Sequence, residues 1–320
     1  MKVPYYLAPM AEISHRALRE LIEGFGGCDG YFSEMISAAA LVAGGPFEKW
    51  YIDAAPCPEK QVYQLVGSDG ETIAKAASIL DKLDCAGIDI NMGCSAPIIR
   101  KTGAGAAWMA SVDRAGELLS LVRPKVKRRL SVKLRIGFKD DFEYLVKFCR
   151  RLENEGTELI TLHPRLVTEK FKRVARWDYV ERLRKELKIP VAGNGDISGA
   201  EDIIRRAGVC DAVMAGRAAV KMPWIFADAL EMEKASLHTL TTCPQAGSAQ
   251  SQLEEIGIKF IELLAKYQPP EFHVSRAKRF FGFFCDNLKW GTYLKNQLNR
   301  EEALSGIERE WRKFFADARE

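Results

Sequence analysis

Between Tyr5 and Gly216, short apolar runs alternate with longer stretches in which apolar positions recur every three or four residues. The short runs predict eight strands: Tyr5 to Pro9, Gly30 to Met35, Gln61 to Val66, Ile88 to Met92, Ser131 to Arg135, Leu159 to His163, Pro190 to Gly193 and Ala212 to Gly216. The intervening periodicity predicts helices over Arg16 to Phe25, Glu71 to Leu83, Val112 to Val122, Glu143 to Glu155, Tyr179 to Leu187 and Gly199 to Ala207. Strand and helix in regular alternation, at spacings of roughly 25 to 40 residues, are the βαβ signature of a parallel sheet covered by helices. Eight such units within about 225 residues fit a closed (β/α)8 TIM barrel better than an open doubly wound sheet.

The pattern changes after Trp224-Ile225-Phe226. Residues 236–251 are rich in Ser, Thr, Gln and Ala around Pro244 and Gly247, and read as a linker. Beyond it the period is helical throughout, over Leu253 to Tyr267, His273 to Leu288 and Glu301 to Ala316, with a break at Pro269-Pro270. The expected organisation is an α/β barrel domain over 1–235, the linker, and a small all-α helical domain over 252–320.

Composition narrows the compartment more than the chemistry. With 47% hydrophobic and 28% charged residues, 320 residues are enough for a full core and a second domain. No apolar stretch approaches the length of a membrane span and no targeting segment opens the chain, so a cytoplasmic protein is expected. The eight cysteines form no C-x-x-C pair and four histidines give no ligand spacing, so neither a metal site nor a dithiol pair is expected. A net charge of +4 is too small to imply a nucleic-acid partner by itself.

Chemistry concentrates at the strand ends. In a barrel the strands pack branched apolar side chains inside, so polar residues at their C-terminal ends read as functional. Here they include Glu34, Gln64, Asn91, Lys133, Arg135, His163, Arg165, Asn194, Asp196 and Arg217. Asn91-Met92-Gly93-Cys94 places a thiol just past the fourth strand, ahead of Gly103-Ala104-Gly105-Ala106. A lone cysteine is more often a small core residue than a catalyst, but this one follows a glycine at a strand end. Gly193-Asn194-Gly195-Asp196 and Gly216-Arg217 follow strands seven and eight, where barrels often bind phosphate. A phosphate site beside Gln64, Lys133 and His163 suggests a phosphorylated ring cofactor, and FMN fits: an amide can meet its pyrimidine edge and a lysine can stabilise the reduced anion.

In this order, Ala8-Pro9-Met10, Ser33-Glu34-Met35, Gln64-Leu65-Val66-Gly67, Asn91-Met92-Gly93-Cys94, Lys133-Leu134-Arg135-Ile136-Gly137, His163-Pro164-Arg165, Gly193-Asn194-Gly195-Asp196 and Gly216-Arg217-Ala218 resemble the motif set of tRNA-dihydrouridine synthases. The resemblance implies an FMN-bound barrel followed by a helical tRNA-binding domain, reducing a tRNA uridine with electrons from NADPH. It gives Pro9, Met10, Ala11, Gln64, Lys133 and His163 to the flavin, and Asn194, Gly195, Asp196, Gly216 and Arg217 to its phosphate end. It makes Cys94 the proton donor to C5, opposite a hydride from flavin N5 to C6, and puts Asn91, Arg135 and Arg165 at the base. The chain departs from the family pattern where Ser95 and Ala96 precede Pro97, and where Pro164 replaces a glycine.

Two basic sets are candidates for RNA phosphates. Arg123 to Arg135 contains no acid, and Arg276 to Arg300 carries Arg276, Lys278 and Arg279 among interleaved aromatics. The face of Arg276, Lys278 and Arg279 is the expected contact, while Phe280, Phe281, Phe283 and Phe284 read as helical core. The expected state is a monomer whose partners are tRNA and NADPH. An FMN barrel oxidoreductase acting on a small molecule, of the dihydroorotate dehydrogenase type, stays open as an alternative, as does a tRNA chaperone without turnover. The basic helical domain weighs against the first and Cys94 with Lys133 and His163 against the second.

Overall fold

The computed structural model describes residues 2–169, 173–237 and 249–317. Eight strands, β1 (Tyr5–Leu7), β2 (Gly30–Ser37), β3 (Gln61–Val66), β4 (Gly87–Met92), β5 (Arg129–Gly137), β6 (Leu159–Leu166), β7 (Val191–Asn194) and β8 (Ala212–Ala215), pair in parallel in chain order, and β8 closes on β1. All eight expected strands are present. β2, β5 and β6 run past their expected ends, and the register shifts there, between Phe32 and Met35 and between Arg135 and Gly137.

Side chains alternate faces along a strand, and that period sorts the barrel into tiers. Tyr6, Ala8, Phe32, Val62, Leu159, Ala192, Ala212 and Met214 form an apolar cluster separate from the one beneath the helices. It is the floor of the barrel interior. Two residues further along β3, β6 and β7, the same face presents Gln64, Thr161 and Asn194. On β4 and β5 the alternate positions are Asp89 and Asn91, then Ser131, Lys133 and Arg135. A polar tier therefore stands on an apolar plug.

Several helices too short to show a period lie directly after strand ends: Ala38–Ala43, Pro97–Arg100 and Arg217–Lys221. At the C-terminus, Ala249–Tyr267, Pro270–Phe284, Gly291–Leu298 and Leu304–Asp317 pack around Trp311, whose ring meets Phe281 at 4.6 Å and Phe315 at 5.0 Å. Phe280, Phe281 and Phe284 are buried, as core residues should be. Of the expected linker, 238–248 lie outside the described residues. No helix among the described residues is long and apolar enough to cross a membrane.

One basic candidate set lies away from the strand ends, and one residue of the expected contact is buried. Arg123 to Arg128 precede β5 and so sit at the N-terminal end of the barrel, away from the strand ends that carry the chemistry. Arg123 pairs with Glu158 at 2.8 Å, and Arg128 donates to the Cys85 carbonyl at 2.6 Å. Arg276 is not on a nucleic-acid face either. It is 1% exposed and its guanidinium lies 3.0 Å from Glu34, itself 3% exposed. The pair is coulombic, since no donor is aligned on Glu34 Oε2. Gln268 also accepts from Arg276, which stacks over Phe272 at 4.5 Å.

This pair ties the helix Pro270–Phe284 to the barrel mouth. Glu34 Oε1 accepts from the Glu12 amide at 2.6 Å, which holds the loop after β1 with Glu12 at φ 62°. The Glu12 carboxylate reaches back to Arg279 at 2.7 Å. Burial raises the Glu34 carboxyl pKa and Arg276 opposes that rise. Removing one partner of such a pair leaves an uncompensated buried charge. Arg276→Ala should therefore cost about 3–5 kcal/mol at neutral pH, read as a shift of the denaturant midpoint. Because Glu34 then protonates more readily in the folded chain than in the unfolded one, the deficit should shrink as pH falls.

Candidate active site

A cavity of about 760 Å³ opens at the C-terminal ends of the strands. It is lined by Pro9, Met10, Asn91, Cys94, Lys133, Arg135, His163, Arg165, Asn194, Gly195, Asp196, Gly216 and Arg217, all expected from the sequence. Met35, Ser95, Ala96, Arg100, Thr168 and Glu169 line it as well, and none of them was expected as a site residue. Gln64 and Ala11 are not in the lining. Ala11 is an exposed turn residue, and Gln64 is fully buried below the mouth.

The place of Gln64 follows from a chain of hydrogen bonds. Asp89, fully buried, accepts from Ser131 at 2.6 Å and from Gln64 Nε2 at 2.7 Å. With its nitrogen turned to Asp89, Gln64 offers Oε1 to Asn91 Nδ2 at 2.7 Å. Asn91 Oδ1 then faces the loop and accepts from the backbone amides of Gly93 at 3.1 Å and Cys94 at 2.9 Å. A carboxylate only accepts, so one buried anion orients both amides and holds Cys94 in the mouth. Burial pushes the Asp89 carboxyl up to about 6, against the Ser131 and Gln64 hydrogen bonds and Lys133.

The glycine run after Cys94 is a buttress for the same loop. The Ala106 amide donates to the Cys94 carbonyl at 2.9 Å. Gly105 has φ 59°, and a Cβ there would lie 2.8 Å from that carbonyl oxygen and 3.1 Å from Cys94 Cβ. Both conformation and space therefore require glycine.

Two arginines brace the walls. Arg135 donates to the carbonyls of Gly93 at 3.1 Å, Leu166 at 2.8 Å and Glu169 at 3.1 Å, stitching the Cys94 loop to the end of β6. Arg165, 1% exposed, pairs with Asp196 at 2.5 Å and donates to the Arg173 carbonyl at 2.5 Å. Its Nη1 lies 2.8 Å from His163 Nε2. A guanidinium cannot accept, so Nε2 is the acceptor and the imidazole proton sits on Nδ1. Burial, then the charges of Lys133, Arg135, Arg165 and Arg217, hold the His163 pKa well below the usual range. His163 is neutral.

Two residues of the expected phosphate cradle are tied to protein groups. Asn194 donates to the Met214 carbonyl at 2.8 Å, joining β7 to β8, and Asp196 is held by Arg165 and by the Ala175 amide at 2.7 Å. A carboxylate does not attract a phosphate, so Asp196 belongs to the wall. The rest of that expected set lining the cavity is Gly195, with φ 124°, Gly216 and Arg217. A Cβ at Gly195 would meet His163 Cδ2 at 2.9 Å, and one at Gly216 would meet Met10 Sδ at 3.3 Å.

Lys133 keeps part of its surface open to the cavity but is surrounded by protein. Desolvation and Arg135 push its ammonium down to about 8, against Asp89 and Cys94. Lys278 and Arg279 lie outside this cavity, on the helix Pro270–Phe284. Among the described residues no group of three or more His, Cys, Asp or Glu is placed to hold a metal ion.

A family model for dihydrouridine synthase matches residues 6–300. A probable tRNA-dihydrouridine synthase of Aquifex aeolicus (strain VF5) is 34% identical over 229 residues, covering 69% of this chain and 70% of the relative. A tRNA-dihydrouridine(16) synthase of Ralstonia nicotianae is 30% identical over 231 residues, covering 68% of this chain and 70% of the relative. Among solved structures, histamine dehydrogenase from Rhizobium sp. 4-9 aligns with a TM-score of 0.52 at 12% identity, over 81% of this chain and 48% of that one, which is a likeness of fold.

Two tests follow from the geometry. Gly105→Ala should reduce turnover and lower stability by about 1–2 kcal/mol, through the left-handed backbone, measured by steady-state rates and denaturant unfolding. For Lys133, the folded pKa near 8 lies below the value of 10.5 for a free lysine, so the folded chain binds fewer protons between them. The stability of the natural chain should rise relative to Lys133→Met as pH increases across that window, and parallel curves would contradict the depressed pKa.

Proposed function

The chain belongs to the dihydrouridine synthase family, and from that premise we propose that it reduces the C5–C6 bond of a uridine in tRNA, with Cys94 giving the proton to C5. One observation carries the assignment of Cys94. Its loop lines the same cavity as Lys133, His163 and the glycines after β7 and β8, and is fixed there by Asn91 from below and Ala106 from the side.

The residues present fit FMN as the cofactor. Gly195 and Gly216 leave backbone open to the cavity at the ends of β7 and β8, the usual phosphate position of this barrel, and Arg217 adds a cation. Lys133 and Arg135 bring positive charge to the opposite wall, suited to a ring system that gains negative charge on reduction. When bound, FMN supplies the hydride that saturates C6. The C4 carbonyl makes C6 the electrophilic end of the double bond, so C5 is left to take a proton. A cysteine thiol carries an S–H proton that it can donate to a carbon positioned against it.

The remaining site residues hold the pocket in this reading. Arg135 and Arg165 keep the mouth in shape through backbone carbonyls and Asp196, and neutral His163 adds a polar edge without adding charge. The uridine must leave its stack to enter so enclosed a cavity. Lys278 and Arg279 on the helix Pro270–Phe284 are proposed to position the RNA backbone. NADPH is taken as the electron donor and the cytoplasm as the compartment. One chain carries both pocket and basic helical face, so a monomer suffices.

The test is to purify the protein, record its visible spectrum, supply NADPH and unmodified tRNA, and measure dihydrouridine by nucleoside mass spectrometry. Flavin absorbance and product are expected, with Cys94→Ala keeping the flavin spectrum while losing roughly 10²–10⁴-fold in rate. Flavin without product on any tRNA would redirect the assignment to a small-molecule reductase.

A further inference from the structure

The segment joining Cys94 to its glycine buttress has a charge pattern of its own. From Ile90 to Val112 the chain contains no Asp or Glu, and its only cations are Arg100 and Lys101. Arg100 closes the single-turn helix Pro97–Arg100, is half-buried, and lines the cavity that holds Cys94. The side chains of Arg100 and Lys101 make no hydrogen bond, ion pair or ring contact among the described residues. Ile98, on the same turn, is 79% exposed.

Three other guanidiniums nearby, those of Arg135, Arg165 and Arg114, have structural tasks. Arg135 holds three backbone carbonyls, and Arg165 holds Asp196 and His163. Arg114, at the far end of the glycine run, donates to the Ser68 carbonyl at 3.0 Å and covers Trp108 at 4.0 Å. Arg100 and Lys101 brace nothing in this way. Two adjacent cations on an acid-free turn, next to an exposed isoleucine and opening on the thiol, match a phosphodiester strand whose sugar face packs on the apolar residue.

We infer that Arg100, assisted by Lys101, receives the backbone phosphates flanking the nucleotide presented to Cys94. The turn 97–101 is thus a second RNA contact, on the barrel itself. This rests on tRNA as the substrate and extends that reading to residues outside the helical domain. Because Arg100 shares its segment with Cys94, a phosphate held there also fixes the register of the base against the thiol.

The experiment is equilibrium binding of unmodified tRNA at a series of salt concentrations, for the natural chain, Arg100→Ala, Arg100→Lys and the double variant Arg100→Ala/Lys101→Ala. Dihydrouridine formation is followed in parallel, and unfolding midpoints check that each variant is folded. Arg100→Ala should weaken binding about tenfold and reduce the slope of log K against log salt by roughly 0.7–0.9. The double variant should lose more of both. Arg100→Lys should restore the slope but only part of the affinity, since a point charge replaces a bidentate fork. In turnover, KM for tRNA should rise more than kcat falls. Affinity and slope unchanged in the double variant would overturn the inference. A natural chain that shows these binding differences but forms no dihydrouridine would overturn the proposed reaction and leave the phosphate contact standing.

Discussion

The carboxylate of Asp89, accepting from Ser131 and Gln64 at the top of the apolar plug, sets the direction of the hydrogen bonds that run from the barrel interior to the backbone amide of Cys94. Each amide above it has one oxygen and one nitrogen, so fixing the first fixes the rest: Gln64 turns its oxygen to Asn91, and Asn91 turns its oxygen to the Cys94 amide. The barrel register makes this possible, because Gln64 pairs with Asp89 and Asp89 with Ser131 across adjacent strands on the same face. An apolar residue in place of Ser131, Gln64 or Asp89 would leave its neighbour with an unmet polar group in the buried interior.

The same economy governs charge. The mouth gathers Lys133, Arg135, Arg165 and Arg217, which would repel one another without compensation. Arg165 is neutralised by Asp196, Arg135 is solvated by carbonyls, His163 stays neutral, and Lys133 has its ammonium weakened. The residual positive potential in a low-dielectric cavity suits an anionic phosphate or a ring accepting electrons. The helical region is joined to this machinery through acids of the barrel. Glu34 holds both Arg276 and the Glu12 amide, so the loop bearing Pro9 and Met10 and the helix bearing Lys278 and Arg279 share one buried anchor.

Much of this was legible in the chain. Short apolar runs between helical stretches gave the eight strands and their polar C-terminal ends, because such runs are local and do not depend on what packs against them. The motif positions gave most of the cavity lining, Cys94 and the glycines after β7 and β8 included. Gln64 shows the limit: its place on the strand is local, but the target of its amide depends on Asp89, 25 residues away. Arg276 shows it more sharply. A basic residue beside Lys278 and Arg279 looks like surface, and only the approach of β2 reveals that Glu34 consumes its charge.

By itself, then, the sequence determined the barrel, the end of it that carries chemistry, and the residue types gathered there. The tertiary structure decided which of those residues are also spent on holding the cavity: Arg135 and Asn194 on carbonyls, Asp196 on Arg165, Gly105 on the Cys94 carbonyl. The reason is physical. Strand and helix patterns are written in neighbouring side chains, whereas whether a charge or an amide is satisfied depends on partners that only folding brings within about 3 Å.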